Sequence, residues 1–335
     1  MTATAVVLVQ FAGCAALVLW AGVRLSRYGD IIAEKTGVSG TWVGVILLAT
    51  VTSLPELVTG ASAVLLFDVT DIAAGDAIGS CMFNLVILAM LDVRHPAPLS
   101  SKVHHGHVLS AGFGIVQLGL VAFAMFAGER APRIGWFGLH SVGFLVIYAF
   151  AARTIFAFEH RRIAQIAEQL TGEVRYADET LRRAVLLFTA VAVLLVGAAS
   201  LLPGIAERLS DITGLEQTFV GSLFVAVSTS LPEVAVSTAA MRLGALDMAV
   251  ANLFGSNLFN VAVLGVDDLL YTDGVLLARV SLEHIVTATA AMMMTGIAII
   301  GLTYRAARKR FHLSWDAVAI AAVYVLTMTL LAVSG

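Results

Sequence analysis

Two copies of one pentapeptide, Thr52-Ser53-Leu54-Pro55-Glu56 and Thr229-Ser230-Leu231-Pro232-Glu233, each place a carboxylate, two hydroxyls and a proline inside a long apolar run. A charge at membrane depth is costly, so an acid there points to function. Proline has no N–H, so the carbonyls of Val51 and Ser228 lose their helical partners. Distortion at that point can also turn the carbonyls of Ala49, Thr52, Ala226 and Thr229 toward a cavity, since unwound backbone at this depth is tolerated only inside protein or beside water or an ion. Together with the hydroxyls of Thr52, Ser53, Thr229 and Ser230 and the carboxylates of Glu56 and Glu233, this makes an all-oxygen donor set. Such a set suits hard cations such as Ca²⁺ and Na⁺. No His or Cys cluster favours Zn²⁺ or Cu⁺.

A second layer follows each motif. Asp76, Ser80 and Asn84 are spaced i, i+4, i+8 and share a helix face, as do Asn252, Ser256 and Asn260. Gly79 and Gly255 allow close helix approach. Plainer roles compete: Gly-Ser as packing, the asparagines as interhelical hydrogen-bond partners, and Asp76 as a helix-start charge. Two glutamates in one small site need a compensating cation. One Ca²⁺ balances them, as do two Na⁺, and a third Na⁺ would carry excess charge and make exchange electrogenic. Protons compete for the same carboxylates, so acid is expected to inhibit.

The elements that position these residues are membrane helices. The 335 residues are 59% hydrophobic and 13% charged, with a mean hydropathy of +0.92. A soluble domain carries roughly 25% charge. Apolar runs predict an all-α polytopic protein with ten spans, at about 4–23, 41–66, 72–91, 108–127, 134–157, 184–202, 216–241, 246–270, 284–304 and 314–333. The first run lacks a basic segment before it and reads as a retained span rather than a cleaved leader. Cys14 and Cys81 lie in apolar runs without ligand or disulfide spacing. His95, His104, His105 and His107 read as a solvated loop, and Asp267 and Asp268 as interfacial acids. No basic, aromatic-interleaved stripe suggests nucleic acid.

Residues 1–158 form a first five-helix repeat (motif 49–84), 159–183 a mixed-charge cytoplasmic linker, and 184–335 a second five-helix repeat (motif 226–260). The segment Thr36-Gly37 through Glu56 matches Thr213-Gly214 through Glu233 at one constant offset. Asp71 through Asn84 matches Asp247 through Asn260 at one residue less. Each repeat has an odd number of spans, so the two are inverted. That is the design of secondary transporters, whose sites lie at the midplane where helices are interrupted. Of the 20 Lys and Arg residues, only Arg130, Arg133, Arg208 and Arg279 fall in the loops of one side, so the other side is expected to be cytoplasmic and both termini extracytoplasmic.

At these residues the chain resembles the cation/calcium antiporter family, specifically the prokaryotic Na⁺/Ca²⁺ exchangers, whose two internal repeats carry G-T-S-L-P-E and G-N-x-x-G-S-N-x-F-N/D. The resemblance spans both repeats and the ten-span layout. It implies that Glu56 and Glu233 are the principal Ca²⁺ ligands, shared with Na⁺. The carbonyls of Thr52 and Thr229 would complete the Ca²⁺ site, and those of Ala49 and Ala226 would serve Na⁺ sites. Ser53, Ser80, Ser230 and Ser256 would give hydroxyls to Na⁺, and Asn84 and Asn260 would line the centre. The first and sixth spans would slide as a gating pair. This sequence departs from the pattern at Val51 and Ser228 (for Gly), Asp76 (for Asn), Cys81 (for Asn), Ala251 (for Gly) and Asn260 (for the Asp of many relatives); Asp76 is thereby a candidate third acid.

The expected function is a secondary antiporter of the plasma membrane that exchanges Na⁺ for Ca²⁺ by alternating access. It would not be an enzyme, would need no cofactor, and would have no obligate protein partner; its partners would be Ca²⁺, Na⁺, competing H⁺ and lipid. A cation/proton exchanger on the same scaffold (Ca²⁺/H⁺ or Na⁺/H⁺) is the alternative. An ion channel is opposed by the inverted repeats and paired broken helices. A membrane-embedded enzyme is opposed by the lack of a nucleophile–base arrangement.

Overall fold

The computed structural model describes residues 3–166, 175–213, 227–305, 309 and 313–334. Ten helices carry the fold: α1 (Ala3–Thr36), α2 (Gly40–Phe67), α3 (Thr70–Arg94), α4 (His107–Ala127), α5 (Leu139–Ile166), α6 (Leu181–Thr213), α7 (Leu231–Arg242), α8 (Leu246–Leu270), α9 (Glu283–Tyr304) and α10 (Trp315–Ser334). Among the described residues nine are long and apolar enough to cross a membrane. The exception is α7, because the expected span 216–241 begins in residues outside the described ones.

Apolarity all round a helix marks burial in protein or lipid, and both kinds occur. The most enclosed helices are α3 and α8; α1, α5 and α10 turn most of their apolar surface outward, for example Val9, Trp20, Phe150 and Leu326. At the centre, α8 packs against α2, α3, α4, α5 and α7, while α1 lies chiefly along α6 and α7. Ser26 on α1 donates to the carbonyl of Val236 on α7 at 2.7 Å. Left-handed residues close the two equivalent turns into α3 and α8, Asp68 at φ 54° and Gly244 at φ 80°, a conformation open to Gly and, less often, Asp.

Three expectations change. The fifth span, expected from 134, starts at Leu139, because Arg133–Ile134 and Phe137–Gly138 form a hairpin around Gly135 (φ 64°). The interfacial reading of Asp267 and Asp268 is overturned, since both are fully buried. Asp268 accepts from Ser141 Oγ (2.5 Å) and from the backbone N–H groups of Gly138 (2.8 Å) and Leu276 (2.6 Å), so it ties the hairpin and the 271–280 loop over the end of α8. In the histidine-rich loop, His107 is buried at the start of α4, with Nε2 2.9 Å from Asp247 Oδ1 and its ring stacked on Phe254.

The expected linker 159–183 is partly helical. Its start continues α5 to Ile166, and its far end docks on α1. Glu34 accepts the N–H groups of Arg175 and Tyr176 (3.1 and 3.0 Å), and the Tyr176 hydroxyl donates to Asp30 at 2.8 Å. Partial burial and the Asp30 carboxylate beside it push the Tyr176 hydroxyl up to about 12.

Candidate functional site

The two motifs break their helices in the same way. The break falls at Ser53 (φ −95°, ψ 8°) and at Ser230 (φ −83°, ψ 5°), and each helix restarts with proline in its first turn. Proline is preset for that position, where its missing N–H is no loss. Glu56 and Glu233 then stand in the first turn of the restarted helices. The free N–H groups and positive dipole end there favour negative charge. Two π-helical stretches, Val43–Leu48 and Ala63–Phe67, flank the first break in α2.

Around the breaks the repeats exchange hydrogen bonds. Thr52 donates to Asn252 Oδ1 at 3.4 Å, and its equivalent Thr229 donates to Asp76 Oδ1 at 2.9 Å. Ser53 donates to Glu233 Oε1 at 2.9 Å, and Ser256 reaches the same oxygen at 3.1 Å. Ser230 donates to Ser80 at 3.1 Å; Ser80 also faces Glu56, beyond hydrogen-bond geometry. The Thr52 and Ser256 hydroxyls are 3.3 Å apart. Each half thus supplies partners to the other half's motif.

All these side chains are buried, yet several oxygens have no hydrogen-bond partner among the described residues: both of Glu56, Oε2 of Glu233, Oδ2 of Asp76 and Oδ1 of Asn84 and Asn260. Buried polar atoms are normally paired, and an orphaned carboxylate oxygen calls for an explanation. Among the described residues no group of three or more His, Cys, Asp or Glu is arranged to hold a metal. The acids here are interleaved with hydroxyl and amide oxygens instead.

Of the residues singled out in the sequence, Thr52, Ser53, Glu56, Asp76, Ser80, Asn84, Thr229, Ser230, Glu233, Ser256 and Asn260 lie in the buried core around the two breaks. Ala226 lies outside the described residues. The Ala49 carbonyl, expected to turn toward the cavity, is engaged by Ser53 N–H (3.0 Å) and by Thr52 Oγ1 (3.3 Å), because the helix holds as far as Ser53. Asn84 has part of the plainer role, donating to Asn257 Oδ1 at 3.0 Å. Asn257 and Ser237 belong to the network without having been candidates; Asn252, placed in the second layer from its spacing, donates from Nδ2 to Ser237 at 3.1 Å. A signal for Asn257 was available, since it is the repeat equivalent of Cys81, whose thiol donates to its carbonyl at 3.6 Å.

The sodium/calcium exchanger protein family matches residues 6–157 and 183–333, both repeats. The chain is 28% identical over 250 residues to the inner membrane protein YrbG of Escherichia coli (74% of each chain). It is 25% identical over 288 residues to the sodium/calcium exchanger MaX1 of Methanosarcina acetivorans (73% of this chain and 77% of that one). A solved structure of the sodium-calcium exchanger NCX_Mj superposes with a TM-score of 0.72 at 20% identity, covering 97% of this chain and 99% of that one, a likeness of fold. With both of its repeats matched and its paired broken helices meeting in one buried core, the chain belongs to the sodium/calcium exchanger protein family, whose members are membrane transporters.

Proposed function

We infer that the chain is a secondary antiporter exchanging Na⁺ for Ca²⁺, with Glu56 and Glu233 as its central cation ligands. The observation that carries this reading is the pair of buried glutamates at equivalent helix breaks, with three of their four oxygens unpartnered among the described residues. One Ca²⁺ or two Na⁺ would neutralise the pair, and hydroxyls of Ser53, Ser80, Ser230 and Ser256, amide oxygens of Asn84 and Asn260, and carbonyls of Thr52, Thr229 and Ala226 would complete oxygen coordination. Alternating access would follow from α1 and α6 moving as a pair across the core. The close approach of Gly22 to Ala235, where a Cβ would lie 2.5 Å from the alanine Cβ, gives α1 a smooth track on α7. The membrane would be the plasma membrane with both termini outside, as the basic residues of the loops suggest.

The test is radiolabelled Ca²⁺ uptake by proteoliposomes loaded with Na⁺, with K⁺, or with neither under an imposed pH gradient. Uptake is expected only with internal Na⁺. Uptake indifferent to Na⁺ but driven by the pH gradient would establish the second reading, a cation/proton exchanger. Asp76 favours that alternative, being a third acid beside the glutamates with Oδ2 unpartnered. Asp76→Asn keeps an acceptor for Thr229 but removes one negative charge. It is expected to weaken apparent Ca²⁺ affinity by at least about tenfold and to alter its pH dependence, since a unit charge at close range in a medium of effective dielectric about 20 contributes more than the roughly 1.4 kcal/mol that a tenfold change needs. Unchanged affinity and pH profile would leave Asp76 a purely structural residue.

A further inference from the structure

The repeat symmetry separates two adjacent acids at the end of α8. The offset that relates Asp76 to Asn252 relates Asp92 to Asp268 and Leu91 to Asp267. Asp92 and Asp268 do the same work in the two halves. Asp92 accepts from Leu99 N–H (2.7 Å) and Ser314 Oγ (2.5 Å) and pairs with Lys309 (3.2 Å), as Asp268 takes up Leu276, Gly138 and Ser141. Each acid pins loops over its helix end. Asp267 has no such counterpart, its equivalent being an apolar leucine.

Asp267 is nonetheless fully buried, and neither carboxylate oxygen has a hydrogen-bond partner among the described residues. An isolated buried carboxylate is among the most expensive features a fold can hold, unless a positive species shares the site. The surroundings make room for the acid rather than satisfying it. A Cβ on Gly60 of α2 would lie 2.3 Å from Asp267 Oδ2 and 3.0 Å from Oδ1. Gly60 stands one helical turn past Glu56, and Asp267 two turns past Asn260 on the same face of α8. The niche therefore borders the core, on the side of the C-terminal end of α8.

The charged groups around the niche are acids. Asp76 of α3 lies within electrostatic range, without a hydrogen bond to it. Glu56 precedes Gly60 on α2, and Asp268 is its own neighbour, taken up by three donors. His140 of α5 interacts with Asp268. No Lys, Arg or His among the described residues pairs with Asp267.

We propose that Asp267 is a binding site for one monovalent cation, Na⁺ or H⁺, distinct from the Glu56–Glu233 cage. One carboxylate carries one charge, which a monovalent ion neutralises and a divalent ion would overshoot. The site lies beneath the helix end that Asp268 closes, and its occupancy sets the field felt by cations in the cage.

The test uses the full-length protein in lipid. Infrared difference spectra are recorded for the wild type and Asp267→Asn, first with Na⁺ added at fixed pH, then with pH stepped from about 6 to about 9 in Na⁺-free choline medium, a range that brackets ordinary function. A wild-type carboxylate band, absent from Asp267→Asn, is expected either to shift on Na⁺ addition or to exchange with a carboxylic-acid band on the pH step. The first outcome assigns Na⁺ and the second H⁺. Gly60→Ala, which keeps the acid but takes its space, should perturb the same band. Spectra identical in wild type and both variants would overturn the proposal, whatever the transport activity. In the flux assay, which rests on the exchanger reading, Asp267→Asn should weaken apparent affinity for the assigned ion by about 3- to 10-fold through the lost charge. The infrared result stands apart from that reading, so failure of one is distinguishable from failure of the other.

Discussion

Glu56→Gln and Glu233→Gln are each expected to reduce Na⁺-driven Ca²⁺ uptake by more than about 100-fold, the equivalent of the roughly 3–5 kcal/mol lost when one member of a buried charge pair is removed. The substitution preserves side-chain volume and one acceptor oxygen, so the loss is of charge rather than shape. The two positions differ in how they are held. Glu233 keeps Oε1 on Ser53 and Ser256 and presents only Oε2, whereas Glu56 presents both oxygens. Glu56→Gln should consequently relieve more unpaired charge than Glu233→Gln when no cation is bound. In cation-free buffer Glu56→Gln is expected to melt at or above the wild-type temperature. Saturating Ca²⁺ should raise the wild-type melting temperature, by an amount reflecting about 2.7 kcal/mol at 100 times Kd, and leave the Gln variant where it was. A Glu56→Gln protein that is stabilised by Ca²⁺ like the wild type would remove Glu56 from the ligand set.

What could be read from the sequence is what local chemistry determines. The proline and acid in each apolar run located the helix breaks to within two residues. The repeat offset paired Thr52 with Thr229 and Asp76 with Asn252 before any contact was known, and the structure links those same four residues by Thr52–Asn252 and Thr229–Asp76 hydrogen bonds. The break itself falls at the serine two residues before each proline, whereas the sequence reading put the distortion at the carbonyls before it. Properties that depend on neighbours far along the chain were not legible. Asp267 and Asp268 sit where hydropathy says a span ends, and only the hairpin at 133–138 and the 271–280 loop folding over them make that end an interior. His107 looked like one of four loop histidines because the acid that holds it, Asp247, lies in the other repeat. The engagement of Glu233 by Ser53 likewise crosses repeats, and periodicity within one helix carries no information about which face meets which.

The other large effect is expected at a residue with no polar atom in its side chain. Gly255→Ala should lower the melting temperature and disable transport, because α2 and α8 cross there at backbone contact. A Cβ at position 255 would lie 2.3 Å from the Val45 carbonyl oxygen, 2.6 Å from Val45 Cα and 2.8 Å from Ala49 Cβ. One at Gly44, on the other side of the crossing, would lie 2.5 Å from the Met248 carbonyl oxygen. Two of the three atoms nearest position 255 are backbone, so no rotamer change gives way and the helices must separate. Overpacking of this kind costs about 1–3 kcal/mol. In a membrane no hydrophobic gain offsets it, since lipid is as apolar as the helix surface. The strain falls beside the chemistry. Ser256, the next residue, bonds Glu233, and Ala49 lies one turn before Ser53, which bonds the same carboxylate. Separating α2 from α8 therefore parts the two hydroxyls that Glu233 holds on one oxygen. Gly296→Ala in α9, where nothing lies within 4 Å of the added carbon, is the matched control; it should be neutral or up to about 1 kcal/mol stabilising, from helix propensity alone. Thermal unfolding in detergent and Ca²⁺ uptake, measured on both variants, decide the matter: a Gly255→Ala protein as stable and as active as Gly296→Ala would show that the crossing can open without cost to the site.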